Sequence, residues 1–182
     1  SARTLTYLAG CVLVLAIDTS TPAVTVALHD GAQVLAESTT VDARRHTELV
    51  APAVVDVLAG AGADRREVTA VAVGVGPGPF TGLRIGLVTA RVLGAALSVP
   101  VYGMCSLDIV ARRVTADGPF VVATDARRHE VYWAGYDAAG RRIDGPSVGA
   151  PADVATDLPV AGEGPRLYPE AFPNAVRPQY PN

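Results

Sequence analysis

The stretch from residue 68 to residue 97 limits the fold more than any other. Residues 68–75 form a short apolar run of strand length. The run enters Gly76-Pro77-Gly78-Pro79-Phe80-Thr81-Gly82, a rigid loop, and then residues 83–97, whose only polar side chains are Arg84, Thr89 and Arg91. A strand passing through a Gly-rich turn into a helix that is apolar all round belongs to an α/β layer, with that helix buried on both sides. Thr81 is placed to cap it. Gly86, Ala90 and Gly94 recur at every fourth position and make a ridge of small side chains that admits another backbone. The second covering surface is either the chain's own domain or another subunit.

Residues 12–17 are almost wholly apolar and stop at Asp18-Thr19-Ser20-Thr21-Pro22, a central strand followed by a turn. Val24, Val26 and Leu28 alternate, Asp30-Gly31 signals a hairpin, and residues 34–40 return, which makes a three-stranded meander. Helical spacing follows at Leu49, Val50, Ala53, Val54, Val57 and Leu58, with Gly60 and Gly62 closing the helix. Residues 100–104 read as a strand and 106–114 as a helix capped by Ser106. A second start lies at residues 120–124, an apolar run ending at Asp125. It continues with residues 131–136, Asp137, a Gly140 turn and residues 141–144. The Asp18-to-Asp30 spacing equals the Asp125-to-Asp137 spacing, so the pattern predicts a duplicated meander-plus-helix unit. Beyond Gly145 the chain is rich in Pro, Gly and Ala, with a helical turn expected at 152–156 and a strand at 159–161.

Composition removes several chemistries. Lys and Arg together number 15, and every one is Arg. A Walker-type phosphate loop, a Schiff-base enzyme and a Ser–Lys hydrolase all need the missing amine. The net charge of −3 argues against nucleic-acid binding by bulk charge. Charged residues make up 18% and hydrophobic ones 49%, which suits a folded chain that shows an apolar face to a partner. Cys11 and Cys105 form no C-x-x-C pair and are expected as buried thiols in a reducing cytoplasm. Leu8-Ala9-Gly10-Cys11 resembles a lipoprotein cleavage box, but the polar residues before it leave no apolar core. No membrane segment is expected, and the location implied is cytoplasmic.

Three places could carry chemistry. Asp18, Thr19 and Ser20 at a strand end suit either a metal-bound phosphate or an Asx or Ser/Thr turn satisfying its own backbone. The loop holding Gly76, Gly78, Thr81 and Gly82 points amides and a helix dipole at an anion, or is simply a tight crossover. Asp125-Ala126-Arg127-Arg128-His129-Glu130 is either a solvated hairpin tip or a small guanidinium patch, through Arg127 and Arg128, for phosphate or carboxylate. His29, His46 and His129 share no metal-binding spacing.

Four blocks together resemble the bacterial TsaB family: residues 14–21 (VLAIDTST), 45–49 (RHTEL), 74–86 (GVGPGPFTGLRIG) and 125–133 (DARRHEVYW). The resemblance spans residues 12–172. It implies an α/β, actin/Hsp70/sugar-kinase-like fold of two ribonuclease-H-like halves. The divisions expected are an N-terminal extension (1–10), a first half (11–116) and an incomplete second half (117–182). It further implies a non-catalytic subunit, glycoprotease-like in ancestry. Its expected partners are a TsaD-like catalytic subunit and a TsaE-like ATPase, in a complex that places threonylcarbamoyl on the tRNA adenosine beside the anticodon. ATP and metal are expected on those partners, with no cofactor held tightly by this chain. TsaD proteins carry a metal-binding H-x-x-x-H after the helix that follows the Gly loop, and residues 99–111 here contain no His. Asp18, Thr19, Ser20, Gly76, Gly78, Thr81 and Gly82 are then vestiges of a phosphate loop. Related pairs meet through their N-terminal halves. The implied partner face is therefore His46, Leu49, Val50 and Ala53 with Arg84, Gly86, Leu87, Val88, Ala90, Arg91 and Gly94. The same face would serve a homodimer when the chain is alone. Two alternatives remain open: an ATP-dependent kinase or ATPase of this fold, and a metallopeptidase.

Overall fold

The computed structural model describes residues 12–42 and 44–181. Cys11 and the N-terminal extension lie outside the described residues. The chain divides into two compact units. One takes the chain up to Val75 together with Thr81–Met104, and the other takes Gly76–Phe80 and the chain from Cys105 onward.

In the first unit, β1 (Val14–Asp18), β2 (Ala23–His29) and β3 (Val34–Val41) form the expected meander. Helix α1 (His46–Ala61) follows, then β4 (Ala70–Gly74), α2 (Phe80–Leu97) and β5 (Val101–Met104). The sheet order is β3-β2-β1-β4-β5. β1 pairs antiparallel with β2 and parallel with β4, so the central strand carries apolar side chains on both faces. α1 is helical because His46, Val50, Ala53, Val54 and Val57 fall on one stripe and are buried. It ends at Gly62, whose φ of 65° puts it in the left-handed region, where the lack of a β-carbon removes the steric penalty. Leu15, Ile17, Val26, Val50, Val57 and Val71 are among the buried side chains of this core.

The second unit repeats the plan. α3 (Ser106–Ala111) leads into β6 (Phe120–Arg127), β7 (Glu130–Tyr136) and β8 (Arg142–Gly149). A 3-10 turn (Pro151–Val154), β9 (Val160–Ala161) and a single-turn α4 (Gly164–Leu167) complete it. Its sheet order is β8-β7-β6-β9. β6 pairs antiparallel with β7 and parallel with β9, as β1 does with β2 and β4. The meander and its following parallel strand are thus repeated, while the helix of the expected repeat is reduced in this unit to the Pro151–Val154 turn, and the fold is the α/β fold the sequence implied.

Several local expectations are corrected. α2 starts at Phe80, so Thr81 lies inside its first turn instead of capping it. Pro79, directly ahead, has no N–H to leave unpaired. Cys105 is the N-cap residue of α3 and Ser106 its first helical residue. The Ser106 hydroxyl instead accepts the Gly76 N–H at 3.2 Å, while the Ser106 N–H donates to Gly76 O at 2.9 Å. β8 runs on to Gly149, and α4 had no signal in the sequence. Finally, α2 is long and apolar enough to cross a membrane by length and composition. Its Gly86, Ala90 and Gly94 face is nonetheless buried in the first unit.

Candidate functional site

The strand-end turn after β1 is closed by its own side chains. Asp18 is 4% exposed. Its Oδ1 accepts both the Ser20 N–H at 2.8 Å and the Ser20 hydroxyl at 2.7 Å, an Asx turn. Thr19 Oγ1 donates to Gly82 O at 2.9 Å and accepts the Gly86 N–H at 3.1 Å. Gly82 and Gly86 are four residues apart in α2, the pair whose carbonyl and amide bond to each other in a regular helix. The threonine hydroxyl therefore bridges the two ends of one rung of the helical ladder. A β-carbon on Gly86 would lie 2.5 Å from Thr19 Oγ1, and one on Gly82 would lie 2.7 Å from Thr19 O. The G-x-x-x-G spacing in this helix thus serves the entry of Thr19.

His46 completes the cluster. It is 6% exposed, and its Nε2 lies 2.9 Å from Thr21 O. A carbonyl can only accept, so Nε2 carries the proton. The structure therefore joins Thr19, Gly82, Gly86 and His46 in one buried node of the first unit. Gly76 and Gly78 belong with the second unit, where Gly76 is tied to Ser106. Thr81 is exposed on the first turn of α2. Among the described residues no three His, Cys, Asp or Glu side chains gather as a metal set.

The expected partner ridge turns the other way. Gly86, Ala90 and Gly94 are buried, Gly86 against Thr19 and Gly94 against the Val101 side chain. Their small size lets α2 approach its own sheet. His46, Val50 and Ala53 are likewise core residues. Arg84, Val88, Arg91 and Val92 stay exposed on the outer face of α2, Val88 at 54% and Val92 at 62%. Leu49 and Leu87 are half-buried. A groove of about 520 Å³ is lined by Val54 and Leu58 of α1, Leu93 and Leu97 of α2, and Arg65 and Arg66.

The second unit holds a group that sequence reading missed. Glu163, at the turn from β9 to α4, is 2% exposed. Burial, reinforced by the Asp125 charge, pushes its carboxyl up to about 7. The Asp125 N–H, Arg166 and Arg127 oppose the shift, with the Arg166 guanidinium 3.9 Å away. The available signal was Gly162-Glu163-Gly164. A β-carbon on Gly162 would run into the Ala123 backbone, and one on Gly164 would lie 2.7 Å from the Ala123 side chain. At the β6–β7 tip, Arg127 pairs with Asp125 at 3.2 Å, while Arg128 and His129 are exposed. Deeper in this unit, the Tyr136 hydroxyl donates to Asp108 Oδ1 at 2.8 Å, and the same oxygen lies 3.3 Å from Arg142.

Comparisons with known proteins agree with this architecture. The family model described as "TsaD: tRNA N6-adenosine threonylcarbamoyltransferase" matches residues 33–170. An uncharacterized protein of Mycobacterium leprae is 54% identical over 82% of this chain and 43% of its own length. An uncharacterized protein of Mycobacterium tuberculosis is 49% identical over 93% of this chain and 80% of its own length. The Escherichia coli tRNA threonylcarbamoyladenosine biosynthesis protein TsaB is 39% identical over 68% of this chain, which spans 54% of that relative. The solved structure of YeaZ from Pseudomonas aeruginosa superposes with a TM-score of 0.80 at 33% identity, covering 93% of this chain and 86% of YeaZ. With a family-model match across most of its length, TsaB relatives in sequence and the YeaZ fold, the chain belongs to the TsaB family.

Proposed function

We propose that this chain is a non-catalytic partner subunit in the synthesis of threonylcarbamoyladenosine on tRNA. It presents the outer face of α2 to a TsaD-like catalytic subunit, and a TsaE-like ATPase acts with the pair. The observation that carries the reading is the division of α2 into two faces. The glycine face is consumed by Thr19 and Val101, while Val88 and Val92 stand exposed beside the α1–α2 groove. Exposed apolar side chains rimmed by Arg84 and Arg91 suit a protein partner better than water. In the absence of that partner, a second copy of the chain offers the same surface.

The turn after β1 supports a non-catalytic role. A phosphate-handling carboxylate and hydroxyl must be available to a ligand, and here Asp18 closes its own turn while Thr19 bridges a helix rung. Nucleotide and metal then belong to the partners. The test is reconstitution of adenosine modification on tRNA with each subunit omitted in turn. Modification should require this chain and the TsaD-like subunit together, and this chain alone with ATP and magnesium should turn nothing over. Full modification without it would overturn the reading.

A further inference from the structure

The β6–β7 hairpin is turned by residues that do not favour its geometry. Arg127, Arg128 and His129 have φ values of 65°, 52° and 63°. The register pairs Arg127 with Glu130, so Arg128 and His129 are the two central residues of the turn. Two-residue turns with both φ values positive ordinarily use Asn-Gly, because a β-carbon is unfavourable there. Strain of this kind is retained where the side chains have a task. Arg127 is already paired with Asp125, while Arg128 is exposed and has no ion pair among the described residues. Its neighbour in the turn, His129, lines an open depression of about 670 Å³ together with Pro151, Leu167, Tyr168, Pro169 and Glu170. A volume of this order suits a small ligand. The lining offers a flat aromatic, two proline rings and one carboxylate, and the exposed Arg128 precedes its lining residue His129 in the turn.

We infer that the hairpin tip and this cavity form a site for a single unstacked nucleotide of RNA, an inference that rests on the tRNA-linked reading above. Arg128 takes a phosphate, and the base lies against Tyr168 and the prolines, as single-stranded RNA is bound through aromatic faces and arginines. Glu170 accepts a hydrogen bond from an exocyclic amino group, which favours cytosine and adenine over uracil. With a net charge of −3 the chain lacks bulk attraction for RNA, so the site works through one fixed phosphate contact.

The test uses the whole chain and fluorescence anisotropy with labelled oligocytidylate, oligoadenylate and oligouridylate across a salt series. The Arg128→Asn/His129→Gly double variant should melt at a higher temperature, because the turn is relieved. It should also bind on the order of tenfold more weakly, with the salt slope reduced by about one. Glu170→Gln should bind all three oligonucleotides alike. A double variant that melts higher and binds with unchanged affinity and slope overturns the site, as does a wild-type chain that binds none of the three. Equal losses on heparin and on every oligonucleotide, with no effect of Glu170→Gln, would mark a general anion contact and also overturn it. If reconstituted modification proves independent of this chain but these binding results hold, the subunit reading fails and the nucleotide site stands. If modification requires the chain but the double variant binds as before, only the site fails.

Discussion

Thr19 and Gly86 meet through a hydrogen bond that belongs, in a regular helix, to Gly86 and Gly82. The Thr19 hydroxyl stands between the two glycines, 2.9 Å from Gly82 O and 3.1 Å from the Gly86 amide. The end of β1 and the body of α2 are thereby locked together through atoms that could otherwise have served a phosphate. Gly86→Ala places a β-carbon against that hydroxyl and should destabilise the chain by about 1–3 kcal/mol. Thr19→Ala should cost about 1–3 kcal/mol by removing the bridge. In the Thr19→Ala/Gly86→Ala pair the added β-carbon no longer meets a hydroxyl, so the two costs should not add. Urea unfolding of the four proteins measures the coupling, and simple additivity would contradict the bridge.

Val88 and Ala90 test which face of α2 is inside. Val88→Glu should leave stability within about 0.5 kcal/mol of wild type, because Val88 is 54% exposed. It should abolish co-elution with a TsaD-like subunit in size-exclusion chromatography, since an unpaired carboxylate would be buried at the contact. Ala90→Leu should do the reverse. Ala90 is fully buried, so overpacking there should cost about 1–3 kcal/mol whether or not the partner is present.

Glu163 makes stability depend on pH in a defined direction. Its carboxyl is raised from 4.5 to about 7 in the folded chain, so the folded state holds a proton that the unfolded state has released. Stability should therefore fall as pH rises from about 4.5 to about 7 and then level off. The loss should be about 1–3 kcal/mol after allowance for solvent screening. Glu163→Gln should remove this slope and be more stable than wild type at pH 8. Thermal melts of both proteins across this range decide it, and parallel curves would show that Glu163 ionises without penalty.

Tyr136 should resist ionisation. Burial and the nearby Asp108 carboxylate raise its hydroxyl well above the usual phenol range. Tyr136→Phe should cost about 1–2 kcal/mol through the lost bond to Asp108. The tyrosine absorbance change on alkaline titration should lack one residue's contribution until the chain unfolds, and full ionisation in the folded state would contradict the burial.

Much of the architecture was legible in the order of residues. Apolar runs of strand length, helical spacing in α1 and the equal Asp spacings each report on local periodicity, which is a property of the chain itself. Those signals located β1 to β9, with β8 running past the expected 141–144, and the repeated meander. The four motif blocks carried the family. Tertiary structure decided what periodicity cannot encode. An all-apolar helix does not say which face is inside, and the small residues of α2 proved to be the approach to its own sheet, not to a partner. For Asp18 the sequence favours a closed Asx or Ser/Thr turn over a phosphate loop, and Ser20, two residues on, closes that turn. What engages the Thr19 hydroxyl is Gly82 and Gly86, more than sixty residues away, which no local pattern shows. Glu163 lies in the Pro- and Gly-rich stretch beyond Gly145, where the sequence singles out no polar residue. Its burial comes from close backbone approach at Gly162 and Gly164 to Ala123, a contact between distant segments that no local pattern records. Residue order fixes propensity along the chain. Which polar atoms find each other across it is set by packing, and that is where this chain's site was decided.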